Sequence, residues 1–341
     1  MDRQFAIAVV GATGLVGETV ITLLEERQFP VAQLHALASE RSLGRSVSFR
    51  GRNQPVEVLA GFDFAQCDLA LFCAGAAAAR EHAPRAAAAG CIVIDNSVEF
   101  REREEVPLVV PEVNPEALEG FGASGIVASP DSVTIQLVVV LKPLHDEAGL
   151  ERVDVATYQS VSGGGREAVE ELARQSVAAL SGRGPPETHG AAKPIAFNCV
   201  PHIDLFQDSG YTREEMTIVH ETRRILSAPA LRVNATAVRV PVFYGHSEVV
   251  HLETQRPLSA ARARELLESA PGVTVLDERG PGGYPTAATE AANRDTVYVG
   301  RIREDLVPDR GLNLWIVADN VRKGAATNSV QIAEALARRL I

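Results

Sequence analysis

The chain has 341 residues and a formal net charge of −11, with 46% hydrophobic and 23% charged residues. A chain of this length predicts two domains, and no apolar run is long enough to cross a bilayer. The negative charge argues against non-specific nucleic-acid binding, which needs a basic face. The N-terminal segment enters a strand at once without a signal-peptide cleavage site, so we expect a cytoplasmic protein.

The first predicted unit, FAIAVVGATGLVGETVITLLEE, is a continuous apolar strand, a glycine turn and a helix. Glycines in such a turn let the backbone approach a pyrophosphate at a helix N-terminus. The spacing is GxxGxxG, which also suits a tight strand-to-helix turn without a ligand. The predicted cofactor-binding residues of this turn are Gly11, Thr13, Gly14 and Gly17.

A second strand around QLHALAS runs into the loop SERSLGR without an acidic residue at its tip. In a dinucleotide-binding fold this loop meets the adenosine ribose, where an acidic residue favours NAD. Ser39, Arg41 and Ser42 suit a 2′-phosphate better, so the sequence favours NADP. Glu40 complicates this interpretation, and the alternative is a solvated charged turn.

Further strands are predicted at DLALFCAG, CIVIDNS and VPLVVPEVN, with a crossover helix in AAAAREHAPRAAAAG. Fully apolar strands alternating with helices indicate a parallel sheet covered on both faces. This pattern predicts a Rossmann-like, doubly wound α/β domain up to about residue 130. A short strand, a turn through Pro130 and the start of a helix at Ser132 follow.

The pattern then changes to long alternating strands, as in ATAVRVPVFYGHSEVVHLETQ and GLNLWIVADN. Such alternation predicts a second, α+β domain with a mostly antiparallel sheet. A domain of this kind resembles the C-terminal domain of glyceraldehyde-3-phosphate dehydrogenase. The Gly- and Pro-rich segment 181–204 is predicted to be a long loop. The C-terminal helix should dock on the first domain. We therefore expect an NADP-binding domain of residues 1–131 with 320–341, and a second domain of residues 132–319.

The four cysteines lie in or beside apolar runs and lack the paired spacing of a zinc site or a redox pair. We expect buried, reduced thiols and no metal site. These cysteines are Cys67, Cys73, Cys91 and Cys199.

Nearly the whole chain resembles the aspartate-semialdehyde dehydrogenase family. The matching stretches include VGATGLVG, CIVIDNSVEFR, TYQSVSGGG, REEMTIVHETRRIL, VRVPVFYGHSEVV and GLNLWIVADNVRKGAATNSVQIAE. The resemblance implies reductive dephosphorylation of aspartyl phosphate to aspartate semialdehyde, through a cysteine thioester and with NADPH. It also implies a homodimer formed through the sheet of the second domain, and a small amino-acid-like ligand.

The resemblance also implies roles for single residues. Gln159 matches the glutamine that orients the acyl group, and His246 matches the general acid/base. A guanidinium grips a carboxylate with two parallel bonds, and a carboxylate pairs with an ammonium. Four further residues match the family: Arg101 for the acyl phosphate, Glu214 with Arg239 for the substrate's amino and carboxylate groups, and Asn320 near the nicotinamide. Without the resemblance, a charged residue in such a segment is more often a solvent-exposed surface charge. A histidine in a strand is more often a hydrogen-bonded structural residue.

Three positions depart from the family pattern. The nucleophilic cysteine is Ser132, the preceding asparagine is Asp131, and the phosphate-gripping lysine is Thr217. A thiol at a helix N-terminus can ionise near neutral pH, whereas a serine hydroxyl needs a base during attack. We therefore expect an NADP-binding relative without normal phosphorylating activity, resembling the paralogues often called Usg-type proteins.

Two alternatives stay open. The first is an ordinary, active aspartate-semialdehyde dehydrogenase despite Ser132. The second is a serine hydrolase that uses Ser132, His246 and Asp131. This one is disfavoured because Asp131 is adjacent to Ser132 in sequence and cannot readily orient the far side of His246, and because no GxSxG turn is present.

Overall fold

The computed structural model describes residues 3–182, 193–306 and 311–340. The chain divides into two compact units, residues 1–131 with 325–341, and residues 132–324. The expected loop 181–204 lies partly outside the described residues, and its described part, 193–204, contains no helix or strand.

The first unit is built on a sheet in the order β3-β4-β2-β1-β5-β6-β7. All described neighbours in it are parallel except the edge pair of β3 and β4. Its strands are β1 (Phe5–Val10), β2 (Val31–Ala38), β3 (Ser46–Phe49), β4 (Arg52–Val58), β5 (Leu69–Phe72), β6 (Ile92–Asp95) and β7 (Ile126–Ala128). Its helices are α1 (Leu15–Glu26), α2 (Ala76–Ala88) and the C-terminal helix (Asn328–Leu340).

The central strands of this sheet are buried on both faces because their residues are apolar without alternation. Every residue of β5 is buried, as are five of the six residues of β1, in which only Ala6 is partly exposed. Such strands need cover on both faces, which α1, α2 and the C-terminal helix provide. The doubly wound α/β domain predicted from the sequence is confirmed.

One expected strand of this unit is absent. Segment 106–114 forms only an isolated bridge between Leu108 and Ala128. The side chain of Asn114 accepts a hydrogen bond from the N–H of Val110 and donates one to the carbonyl of Leu108, both at 2.9 Å. These side-chain bonds and the missing N–H of Pro111 stop the segment from continuing as a ladder.

The second unit carries a mixed sheet in the order β11-β12-β13-β10-β8-β9. Three pairs are antiparallel, whereas β8 with β9 and β11 with β12 are parallel. Its strands are β8 (Leu150–Gln159), β9 (Arg232–Arg239), β10 (His246–Thr254), β11 (Val273–Val275), β12 (Val297–Glu304) and β13 (Gly311–Ala318). Its helices are α3 (Ser132–Ala148), α4 (Arg166–Leu180), α5 (Arg213–Ile225) and α6 (Ala260–Ser269).

The C-terminal helix belongs to the first unit, but the chain enters that unit at residue 325, whereas the sequence suggested 320. The reason is hydrogen bonding at Asn320. Its Oδ1 accepts hydrogen bonds from the Ser160 and Ser162 hydroxyls and from the N–H of Gly245, each at 3.0 Å. These partners all belong to the second unit, so residues 320–324 stay with it.

Candidate functional site

The glycine turn of the first unit joins β1 to α1. Gly11 has a φ of +84°, and Gly14 is the N-cap of α1. A Cβ at Gly17 would lie 2.2 Å from the carbonyl oxygen of Gly11, so only glycine lets α1 approach the turn this closely. The turn therefore presents backbone N–H groups at a helix N-terminus, where a phosphate binds.

The loop after β2 contains the residues that were predicted to contact the adenosine. Ser39 precedes a short 3-10 turn, Glu40–Ser42, and both Ser39 and Arg41 are exposed. Ser42 is buried, and its hydroxyl lies 3.2 Å from that of Thr13 in the glycine turn. The structure thus links two of the predicted cofactor-binding residues and leaves Ser39 and Arg41 exposed on the loop.

Arg101 is buried in the first unit and held by two backbone carbonyls. Its Nε donates to Ser129 at 3.0 Å, and its Nη2 donates to Asn96 at 2.8 Å. Its Nη1 lies 3.3 Å from a carboxylate oxygen of Asp131. Asp131, which departs from the family pattern, therefore neutralises the guanidinium of Arg101, which is expected to bind phosphate.

Ser132 is the first residue of α3 and is half-buried, as predicted from the turn through Pro130. A helix N-terminus carries unpaired backbone N–H groups and a partial positive charge, which favour an anion. A Cβ at Gly324 would lie 2.6 Å from the Cβ of Ser132, so glycine there leaves room for the residue at the nucleophile position.

The predicted substrate residues of the second unit lie at one edge of its sheet. Gln159 and Arg239 end the neighbouring parallel strands β8 and β9 and are partners in register. His246 begins the antiparallel strand β10, and Asn320 lies two residues beyond the end of β13. Strand ends at one edge are a common place for ligand contacts in sheets with parallel strands.

Hydrogen bonds connect these residues. Gln159 Nε2 donates to Glu214 at 2.8 Å, and Arg239 Nη1 donates to the carbonyl of Ser160 at 2.6 Å. Glu214 lies in the first turn of α5, which begins with a capping box between Thr212 and Glu215. A carboxylate and a guanidinium therefore lie near the same strand ends, as a ligand with an ammonium and a carboxylate requires.

His246 is 1% exposed, and its Nδ1 accepts a hydrogen bond from the N–H of Ser160 at 3.0 Å. Burial holds its pKa well below the ordinary value, and the neighbouring Arg239 lowers the pKa further. The imidazole is therefore neutral at physiological pH. Sequence reasoning missed Ser160, although it directly follows Gln159 in the glycine-rich segment used for the resemblance.

The three cysteines of the first unit offer little as replacement nucleophiles. Burial raises the pKa of Cys67 and of Cys73 to about 12, and it also raises the pKa of Cys91. Cys199 is exposed, contrary to the expectation of a buried thiol, because it lies in the irregular segment after residue 192. Among the described residues, no group of three or more His, Cys, Asp or Glu could hold a metal ion. No helix in the described part of the chain is long and apolar enough to cross a membrane.

Two family descriptions match this chain. Semialdehyde dehydrogenase, NAD binding domain, matches residues 6–121, and semialdehyde dehydrogenase, dimerisation domain, matches residues 141–323. The fold and these matches therefore define the class: a two-domain protein of the semialdehyde dehydrogenase type, with an NAD binding domain followed by a dimerisation domain.

Individual relatives show which family within this class the chain belongs to. An aspartate-semialdehyde dehydrogenase from Legionella pneumophila is 54% identical over 341 residues, 100% of this chain and 98% of that protein. The crystal structure of aspartate semialdehyde dehydrogenase II from Vibrio cholerae, complexed with ASA, has a TM-score of 0.97 and 49% identity and covers 100% of both chains. A Candida albicans aspartate semialdehyde dehydrogenase, solved with NADP, has a TM-score of 0.75 and 25% identity over 99% of this chain and all of its own. This chain belongs to the aspartate-semialdehyde dehydrogenase family.

Proposed function

We propose that this chain binds aspartate semialdehyde and NADP, and that it oxidises the aldehyde as an aspartate-semialdehyde dehydrogenase does. The observation that carries the proposal is the group formed by Gln159, Glu214, Arg239 and His246 at one edge of the second sheet. These residues match the family's substrate residues one by one. Relatives that carry the enzyme's name align with the chain over its full length, which also favours an active dehydrogenase.

Each of these side chains has a chemical task in the proposed reaction. The guanidinium of Arg239 binds the substrate carboxylate, and the carboxylate of Glu214 pairs with the substrate ammonium. Gln159 orients the carbonyl group that is attacked. Ser132 supplies the attacking oxygen from the N-terminus of α3, where the helix dipole favours developing negative charge.

We propose NADP as the cofactor. Ser39 and Arg41 are exposed in the loop after β2 and suit a 2′-phosphate, whereas Glu40 between them is the type of residue that binds the free ribose of NAD. Titration with NADP and with NAD tests this choice. Tighter binding of NAD by the native chain would contradict it.

We propose that Ser132 makes turnover slower than that of a cysteine enzyme. A hydroxyl is far less ionised than a thiol, and the oxygen ester left after hydride transfer is less reactive than a thioester. Each tenfold loss of rate corresponds to ~1.36 kcal/mol of barrier. Asp131 adds a further obstacle because its carboxylate lies against Arg101, where the phosphate acceptor would bind.

A second candidate function is a Usg-type paralogue that binds the nucleotide and an amino-acid-like ligand without turnover. The combined changes at Asp131, Ser132 and Thr217 favour it, since all three remove parts of the acyl-phosphate chemistry. In this function the grouping of Glu214 and Arg239 would serve binding alone.

We also propose a cytoplasmic homodimer formed through the sheet of the second unit. The match of residues 141–323 to a dimerisation domain supports it. Exposed aromatic side chains in this unit give a surface suited to a second copy. They include Tyr158, Phe197, Phe206, Phe243 and Tyr244. Light scattering of the purified chain should give twice the monomer mass.

The proposed function is tested by NADPH formation from aspartate semialdehyde, NADP and phosphate. The control substrate is the same four-carbon semialdehyde without its amino group, which cannot pair with Glu214. We expect slow turnover with the first aldehyde and none with the second. Binding of the amino aldehyde without NADPH formation would favour the second candidate, and failure to bind either aldehyde would contradict both.

A further inference from the structure

The ring nitrogens of His246 have unequal surroundings. Its Nδ1 lies 3.0 Å from the backbone nitrogen of Ser160, which carries a hydrogen and can only donate. Rotating the ring by half a turn would place a carbon atom, with its own hydrogen, against that N–H. The contact therefore favours this ring orientation, with Nδ1 as an unprotonated acceptor.

A neutral imidazole with an unprotonated Nδ1 carries its proton on Nε2. His246 is 1% exposed, and the positively charged Arg239 lies close enough to oppose a second proton. The Ser160 N–H, the burial and the charge of Arg239 together favour one of the three possible protonation states of the ring. In that state Nε2 is a hydrogen-bond donor.

Ser160 is itself held from several sides. Its hydroxyl lies 3.0 Å from Asn320 Oδ1, 3.0 Å from the Ser162 hydroxyl and 3.2 Å from Nδ1 of His246. Its carbonyl accepts the 2.6 Å hydrogen bond from Arg239. Asn320 Oδ1 also accepts from the N–H of Gly245, the residue before His246. One amide oxygen therefore ties the Ser160 segment to the start of β10.

We propose that Ser160, held by Asn320, is a positioning residue that fixes the tautomer of His246 with its proton on Nε2. The inference rests on the proposed function and concerns the same site. It gives His246 the task of a donor. When a nucleophile adds to the aldehyde carbon, the π-electron pair of the carbonyl moves to oxygen, and Nε2–H donates to that oxyanion.

In this tautomer, His246 cannot act as a base that takes the proton of Ser132. To accept the serine proton, Nε2 would need a lone pair, and the ring proton would then have to lie on Nδ1. The N–H of Ser160 faces that position and opposes a proton there, because two donors repel one another. When Ser132 attacks, its proton must therefore pass to solvent water instead of to resting His246, which provides a structural reason for slow turnover beyond the identity of the nucleophile.

The first test is NMR of the full native chain with isotope-labelled histidine, which distinguishes protonated from unprotonated ring nitrogens. The His246 signals are assigned by comparison with His246→Asn. At neutral pH we expect a neutral ring with the proton on Nε2. A proton on Nδ1, or on both nitrogens, would overturn the proposal. This readout needs no turnover, so its failure is distinct from failure of the proposed dehydrogenase activity.

The second test compares Ser160→Ala with Ser162→Ala. Both variants remove one hydroxyl from Asn320 Oδ1, but only Ser160 also contacts His246. Ser160→Ala loses a hydrogen bond that holds the segment, so the ratio of the two neutral His246 tautomers should shift by about fivefold to tenfold. In Ser162→Ala the ratio should stay unchanged. Equal tautomer ratios in the two variants would contradict a positioning role for Ser160. If Ser160→Ala does not fold, the native NMR spectrum decides the tautomer.

Discussion

At the scale of single residues, the charge around Arg101 is decided by Asp131. Its carboxylate oxygen lies 3.3 Å from Arg101 Nη1, and its side chain is 19% exposed. A carboxylate this close occupies a donor that would otherwise face an incoming phosphate. The departure from the family pattern is therefore visible as a contact within the first unit.

We expect Asp131→Asn to strengthen the binding of inorganic phosphate by about tenfold, since it removes a negative charge beside a buried guanidinium. The measurement is the phosphate-dependent rise in unfolding temperature, which follows from ligand binding to the folded state. Asp146→Asn is the matched control because it removes the same charge from an exposed pair with Lys142. An equal response to phosphate in the native chain and in both variants would contradict this account.

His246 also affects stability as a function of pH. Its folded-state pKa is depressed by burial, so the unfolded chain binds more protons as the pH falls through about 6.5. The free energy of unfolding should therefore decrease with falling pH in that range. His82 and His145 have lowered pKa values for the same reason and contribute to the same slope.

We expect His246→Asn to reduce this loss of stability on acidification, because asparagine can accept the Ser160 N–H without titrating. Urea unfolding at several pH values between 5 and 8 provides the measurement. His220→Asn serves as control, since His220 is exposed on α5. An unchanged pH slope in His246→Asn would show that the imidazole is not held neutral by the fold.

At the scale of elements, the turn between β1 and α1 depends on close backbone approach. The position of a Cβ at Gly17 is only 2.2 Å from the Gly11 carbonyl oxygen, which is backbone and cannot move aside cheaply. A side chain at position 17 would therefore push α1 away from the glycine turn.

Gly17→Ala should destabilise the chain by about 1–3 kcal/mol, the usual cost of overpacking, and should weaken NADP binding. Urea unfolding and a nucleotide titration measure the two effects. Gly61→Ala is the control, because a Cβ there meets no atom within 4 Å. Native-like stability and affinity in Gly17→Ala would mean that the turn is looser than described.

At the scale of the whole molecule, the C-terminal residues of the chain complete the hydrophobic core of the first unit. Leu336 is fully buried in the cluster formed with β1, α1 and neighbouring elements. Arg27 of α1 also makes two hydrogen bonds, of 2.8 and 2.7 Å, to Glu334. The nucleotide-binding unit is therefore complete only when the C-terminal helix is docked.

Leu336→Ala should lower the free energy of unfolding by about 2–5 kcal/mol, because it leaves a cavity in this core. Chemical denaturation gives the value. Arg338→Ala, at an exposed position of the same helix, should change stability by less than about 0.5 kcal/mol. Equal effects of the two substitutions would contradict the docking of the helix through its apolar face.

The sequence predicts most of the architecture because continuous apolar strands and helical periodicity are local signals. It did not predict the edge hairpin of β3 and β4, whose residues are largely polar, or the hydrogen bonds of Asn114 that end segment 106–114. The bond from Gly245 to Asn320 joins residues 75 positions apart, and no local pattern reports it. The contact of the Ser160 N–H with His246 involves a backbone group. Every residue type except proline carries this group, so the residue type does not predict the contact.

The most direct test of the account is the rate of NADPH formation from aspartate semialdehyde, NADP and phosphate in the native chain and in Ser132→Cys. A thiol at the N-terminus of α3 ionises far more readily than a hydroxyl. We therefore expect the cysteine variant to be faster by about a hundredfold or more, which corresponds to at least ~2.7 kcal/mol of barrier. A native rate equal to or above that of the cysteine variant would contradict the claim that oxygen at position 132 limits turnover.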